Sequence, residues 1–259
     1  MTLLDALALG LVEGVTEFLP ISSTGHLILA SELLGLPPTE FLKSFEIAIQ
    51  LGAILAVVML YWRLLLKPEV LKKLAVAFIP TGAVGFALYP IVKNYFLGSV
   101  EVVLAALFAG GIALIVFELW RGKTDAAEAA APAAERISYR HAFIIGLAQS
   151  LAVIPGVSRA GATILGGLLL GVPRTAIVEF SFLLAVPTML AATGFDLLKS
   201  AASFAGSDFG VLALGFAVSF AAALMSIRLL LKFVAHHTFI PFGVYRIALA
   251  AAFFLLVVR

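Results

Sequence analysis

Glu13 and Glu17 stand four residues apart in the stretch GLVEGVTEFLPISSTGHLIL at residues 10–29, so on a helix they share a face. Two carboxylates at that spacing repel in a low-dielectric setting, and either one keeps a proton or a cation sits between them. Both outcomes suit phosphate chemistry. A protonated glutamate is a general acid. A divalent cation with oxygen ligands, Mg²⁺ or Ca²⁺ rather than a soft metal, bridges carboxylates to phosphate oxygens. Ser22, Ser23 and Thr24 follow, then His26. Hydroxyls and NH groups at the start of a glycine-containing helix form a cradle for an anion. Ser23 could act as nucleophile with His26 as base, and the reverse assignment stays open. A purely structural reading makes the hydroxyls helix caps, the acids a solvated helix end and His26 a hydrogen-bonded core residue. The apolar flanks on both sides weigh against it, because polar groups at membrane depth are expensive.

Residues 146–165, GLAQSLAVIPGVSRAGATIL, are a diverged copy of that stretch. Gly10 aligns with Gly146, Glu13 with Gln149, Ser22 with Ser158 and Gly25 with Gly161. The copy adds Arg159, whose planar fork matches two phosphate oxygens. Ser158 and Thr163 could add donors. The competing reading is an ion pair from Arg159 to Glu13 or Glu17 across the repeat interface, which a phosphate could still complete. Glu46, Gln50, Glu179 and Ser181 lie within apolar runs as supporting polar groups. Arg246 reads as a head-group contact or a snorkelling side chain. His236 and His237 read as a solvated loop.

Elements that place these groups follow from composition. The chain of 259 residues is 63% hydrophobic and 12% charged, with a mean hydropathy of +1.14. A soluble domain of that size cannot bury so much apolar surface, so the expected class is an all-α integral membrane protein. Cysteine is absent, which excludes disulfides and thiolate metal sites. No basic leader precedes the first apolar run, so no cleavable signal peptide is expected. The net charge of +2 comes from residues dispersed at span ends and carries no nucleic-acid signal.

Six transmembrane helices are expected at 41–62, 74–92, 100–120, 175–198, 209–234 and 241–258. Residues 3–35 and 141–171 are each two short segments, broken at Pro20 and Gly25, and at Pro155-Gly156 and Gly161. Each reads as a re-entrant helical hairpin, since irregular backbone at membrane depth survives only where protein walls a cavity. The first repeat is then 1–120 and the second 139–259, joined by an Ala-rich charged linker at 121–138. Three spans per repeat is odd, so the two repeats have inverted topology and their hairpins meet near the midplane. Arg63, Lys67, Lys72, Lys73, Arg121, Lys123, Arg136, Arg140, Arg174, Arg228 and Lys232 fall in one set of loops; Lys43, Lys93, Lys199 and Arg259 fall in the other. The richer set is cytoplasmic, which puts both termini and the first hairpin outside.

EGVTEFLPISSTGH at 13–26, PGVSRAGAT at 155–163, EFSFLLAVP at 179–187 and FIPFGVYR at 239–246 resemble the undecaprenyl-diphosphatase family, also called bacitracin-resistance proteins. The resemblance covers essentially the whole chain. It implies hydrolysis of undecaprenyl diphosphate to undecaprenyl phosphate and phosphate, which recycles the lipid carrier of bacterial cell-wall synthesis. It implies a divalent cation on the glutamates at 13 and 17, a nucleophilic Ser23, a motif histidine at His26 and a phosphate-binding Arg159 flanked by Ser158 and Thr163. It also implies a site at the outer face of the plasma membrane. Ala160 stands where the family commonly has serine, which removes one phosphate donor. A homodimer is compatible with this reading, and no nucleic-acid partner is. The alternative is a transporter or flippase of polyprenyl phosphate lipids, because inverted repeats with broken helices are transporter architecture.

Overall fold

Helices begin where the sequence supplies a cap. Thr2 and Asp5 form a reciprocal capping box at the first helix, with Asp5 N donating to Thr2 Oγ1 at 3.2 Å. Thr39 and Ser138 cap two more, accepting from the NH groups of Leu42 and His141. A computed structural model describes residues 1–92, 96, 99–121, 136–200 and 209–255. In chain order the helices are α1 (Leu3–Thr16), α2 (Ser23–Leu33), α3 (Glu40–Leu65), α4 (Pro68–Ile91) and α5 (Val100–Arg121). Then come α6 (Tyr139–Gln149), a 3₁₀ turn (Ser150–Val153), α7 (Arg159–Leu169), α8 (Arg174–Ser200), α9 (Phe209–His236) and α10 (Ile240–Phe253). No strand occurs among the described residues.

Five of these are long and apolar enough to cross a membrane: α3, Pro68–Leu88 of α4, α5, Arg174–Gly194 of α8, and α9. The sixth expected span, 241–258, is the 14-residue α10 over its described part. Large apolar side chains face outward, among them Phe86, Leu119 and Trp120, as a lipid-facing surface requires. Residues 122–135, most of the expected linker, lie outside the described residues, as do Lys93, Lys123 and Arg259. The last residues of that linker belong to the folded body: Ile137 is buried and Ser138 caps α6.

Both breaks fall within the expected intervals, 20–25 and 155–161. Gly25 and Gly161 sit inside α2 and α7, and the chain turns three residues earlier, at Ser22 and Ser158. Both serines hold φ near +70°, at 71° and 68°, in a region that side chains other than glycine rarely occupy. Each hydroxyl then accepts from the NH three residues on, Gly25 N at 3.4 Å and Gly161 N at 3.0 Å. A serine there trades backbone strain for an N-cap, which glycine cannot supply.

The two short-helix pairs also pack alike. Helix α1 lies along α9 and α6 lies along α4, while α5 meets α10 and α3 meets α8. A Cβ on Gly10 would come within 2.7 Å of the Gly215 carbonyl oxygen, and one on Gly146 within 2.0 Å of that of Ala77. Lipid supplies no hydrophobic force between helices, so close backbone approach over small residues is what holds them. One turn along, Thr81 donates to the Gly146 carbonyl at 2.8 Å and Ser219 to that of Ile49 at 2.7 Å.

Candidate active site

Glu17 is the C-cap of α1, and the next turns carry the chain to Ser22 and into α2. That geometry folds Ser23 back onto Glu17, and the Ser23 hydroxyl donates a short hydrogen bond to Glu17 Oε2. The other carboxylate oxygen, Oε1, accepts from Arg159 Nη2 at 2.8 Å. Arg159 is the first residue of α7 and also donates from Nη1 to the Ser181 carbonyl at 2.7 Å. Its guanidinium lies over the Phe18 ring, 5.8 Å from the centroid. A serine, a carboxylate and a guanidinium from the two like segments, 10–29 and 146–165, therefore form one contiguous chain of contacts. The pair is largely removed from solvent, with 12% and 5% of the Arg159 and Glu17 side chains exposed, so each charge depends on the other.

This chain opens into a cavity of about 840 Å³. Glu17, Ser22, Ser23, Thr24, Ser158 and Arg159 line it, as do Gln50, Thr81, Gln149 and Thr188. Phe78, Phe86, Val153, Ile154 and Met189 are among its apolar walls. The helices α2 and α7 start here. Their first backbone NH groups, at Ser23 and Thr24 and at Arg159 and Ala160, have no acceptor within their own helices. Two helix N-termini thus converge on one space, each with a partial positive charge.

Glu13, His26 and Thr163 do not line the cavity. Thr163 sits within α7 and turns to Ser181 Oγ at 2.6 Å and to the carbonyls of Arg159 and Ala160. His26 is buried with both ring nitrogens engaged: Nδ1 meets the Ser22 carbonyl at 2.7 Å and Nε2 the Tyr245 hydroxyl at 2.8 Å. A carbonyl only accepts, so Nδ1 carries the proton and Tyr245 donates to Nε2. His26 thus braces the turn at Ser22, while Glu17 is the group that touches Ser23. Of the supporting polar residues, Ser181 contacts Arg159 and Thr163, and Gln50 reaches the cavity wall.

Glu13 is fully buried, and neither carboxylate oxygen has a hydrogen-bond partner. It faces the Glu17 carboxylate with no donor between them, an arrangement that calls for a proton or a cation. Oxygen donors of this kind suit Mg²⁺ or Ca²⁺. Among the described residues no group of three or more His, Asp or Glu side chains is assembled. A Mg²⁺-type site of one or two carboxylates completed by water and phosphate is the arrangement these residues fit. Glu13 is the freer ligand, since Glu17 already accepts from Arg159 and Ser23.

Arg246 departs most from expectation. It neither snorkels nor faces a head group: it is 1% exposed and donates to five backbone carbonyls. Three of those carbonyls, on Pro20, Gly156 and Val157, belong to the two broken segments, and sequence spacing gave no signal of this. His236 and His237 are exposed as expected.

With the geometry established, comparison with known proteins adds independent findings. The family model for bacitracin resistance protein BacA matches residues 6–252. A protein of Sulfurihydrogenibium sp. (strain YO3AOP1) named undecaprenyl-diphosphatase is 51% identical over 255 residues, covering 98% of this chain and 99% of that protein. One of the same name from Aquifex aeolicus is 49% identical over 263 residues, covering 98% and 100%. One from Thermus thermophilus is 51% identical over 258 residues, covering 97% of each.

Proposed function

The chain belongs to the bacitracin resistance protein BacA family, and from that premise we propose how its residues carry out the family's reaction. The chain is an undecaprenyl-diphosphatase, a membrane hydrolase that converts undecaprenyl diphosphate to undecaprenyl phosphate and inorganic phosphate. The observation that carries the mechanism is the Ser23–Glu17–Arg159 chain lining a mostly apolar cavity.

Glu17 accepts the Ser23 proton as the serine oxygen attacks the terminal phosphorus. The bond to the bridging oxygen breaks and undecaprenyl phosphate leaves. As that bond breaks, Glu17 passes the serine's proton to the departing oxygen; water then attacks the phosphoserine, and Glu17, a free carboxylate again, takes the water's proton and hands it to the serine oxygen as phosphate leaves. Arg159 and the NH groups opening α2 and α7 hold the phosphoryl oxygens where negative charge develops, which is the main task in phosphoryl transfer. Ser22 and Ser158 hold those NH groups in place as caps, and Thr24, exposed at the cavity, adds a hydroxyl. Thr163 acts on substrate only through Ser181 and Arg159. A divalent cation held by Glu13, with Glu17 as second ligand, would neutralise phosphate charge at the same place. The apolar walls take the first isoprene units, and the rest of the chain lies in the bilayer.

The equivalent turns at Ser22 and Ser158, and the matching helix contacts of the two halves, support a two-repeat architecture with a re-entrant hairpin in each. With six spans the repeats are inverted, and the Lys and Arg distribution puts both termini and the site on the outer face of the bacterial inner membrane. Purified protein should release phosphate from a short-chain polyprenyl diphosphate, and chelator should suppress the release. Movement of intact lipid between leaflets without phosphate release is the result that would favour a carrier instead.

A further inference from the structure

Arg246 brings a positive charge into the protein interior without a carboxylate to meet it. Among the described residues no ion pair involves it. Its compensation comes from carbonyl dipoles alone. Nε donates to Leu107 O at 3.1 Å, Nη2 to Ala106 O at 2.9 Å and Gly156 O at 3.0 Å, and Nη1 to Pro20 O at 3.1 Å and Val157 O at 3.4 Å. Ala106 and Leu107 lie on α5, Pro20 lies two residues before the Ser22 turn, and Gly156 and Val157 run directly into the Ser158 turn. One planar group therefore binds α5 and both breaks together. The breaks are where backbone carbonyls lose their helical donors, and such groups must find partners away from water. The fit is tight: a Cβ on Gly110 would fall 2.2 Å from Nη2 and 2.7 Å from Cζ.

We propose that Arg246 is a positioning residue for the reaction: it holds the starts of α2 and α7 in mutual register, so that Ser23 and Arg159 face one diphosphate. This rests on the reading of Ser23, Glu17 and Arg159 given above. Both α2 and α7 pack on α5, and Arg246 ties that same helix to the backbone leading into each of them. A lysine keeps the charge but has one nitrogen and no planar fork, so it cannot span α5 and both turns at once.

The test uses Arg246→Lys and, as an independent perturbation, Gly110→Ala, which leaves the arginine in place but pushes its head aside. The chain has no cysteine, so spin labels go cleanly onto Leu33 and Leu169, the exposed far ends of α2 and α7. Both variants should keep a cooperative melt in detergent and broaden or shift the α2–α7 distance distribution. Turnover per folded molecule should fall by about tenfold or more, with KM for a short-chain diphosphate changed by less than about threefold, because register matters in the transition state. A merely structural staple would lower the yield of folded protein and leave turnover per folded molecule alone. Unchanged distances together with turnover within about twofold of wild type would overturn the proposal. If wild-type protein releases no phosphate, the reading of the reaction fails, and the distance measurement still decides whether Arg246 sets the register.

Discussion

The two halves of this chain start from the same device and end in opposite chemistry. In each, a short helix ends, the chain turns at a serine with left-handed backbone, and a second short helix starts under that serine's cap. At position 13 of the first copy stands a buried carboxylate with no donor. At the equivalent position 149 stands an amide whose Nε2 donates to Thr81 and Thr188, at 2.9 and 3.1 Å. Those threonines spend their own protons on the Gly146 and Leu184 carbonyls, so the amide orientation is fixed. At positions 23 and 159 the copies diverge from serine to arginine. The first cradle carries a hydroxyl and two carboxylates, and the second carries a guanidinium. The proposed reactive centre belongs to neither half, because Glu17 of one pairs with Arg159 of the other.

The largest break in that comparison is at Ser23. Ser23→Ala should lower turnover by about a thousandfold or more if its hydroxyl attacks phosphorus, and no phosphoenzyme should be trapped by acid quench from that variant. A trapped phosphoenzyme or near-normal turnover would remove Ser23 from the role of nucleophile.

The cross-repeat pair separates stability from activity. Arg159→Met strands a buried carboxylate and should cost roughly 3–5 kcal/mol, read as a fall in melting temperature. Adding Glu17→Gln should recover most of the melting temperature and none of the activity. Arg159→Lys should stay folded yet lose about a hundredfold in turnover, since charge is kept and the fork is lost. Were the pair only structural, the double variant would recover turnover along with stability.

Making the halves more alike should cost less. Glu13→Gln copies the second repeat into the first. It should reduce turnover by about tenfold and flatten the dependence on divalent cation, and its loss should not multiply with that of Glu17→Gln. Full multiplication, with the cation dependence intact, would count against a shared cation. The smallest effect is expected at Gln149→Leu. The two threonine protons stay satisfied, so about 1 kcal/mol of stability is at stake, measurable by thermal melting with turnover little changed.

Much of this was legible in the primary structure because lipid is an unforgiving solvent. Polar residues inside apolar runs, repeated at matching positions, have no cheap structural explanation, and Glu13, Glu17, Ser22, Ser23, Ser158 and Arg159 stood out for that reason. Five of the six expected span positions were readable because membrane thickness sets helix length. The breaks were readable as intervals but not to the residue, because glycine and proline mark only where a turn is easy. The actual turns sit at serines, whose strain is offset by a cap that only three-dimensional backbone geometry reveals.

By itself, then, the sequence determined the solvent, the helical class, the likeness of segments 10–29 and 146–165, and which side chains are costly to bury. Each of these follows from local composition or from spacing along the chain. Tertiary structure alone decided who meets whom. It paired Arg159 with Glu17 and left Glu13 without a donor, gave Ser23 to Glu17 and His26 to Tyr245, and turned Arg246 inward onto both breaks. These contacts join residues 90 or more positions apart, or across a turn, and depend on angles and distances of an ångström or so. No one-dimensional pattern encodes those, because the same spacing is compatible with many ways of packing one repeat against the other.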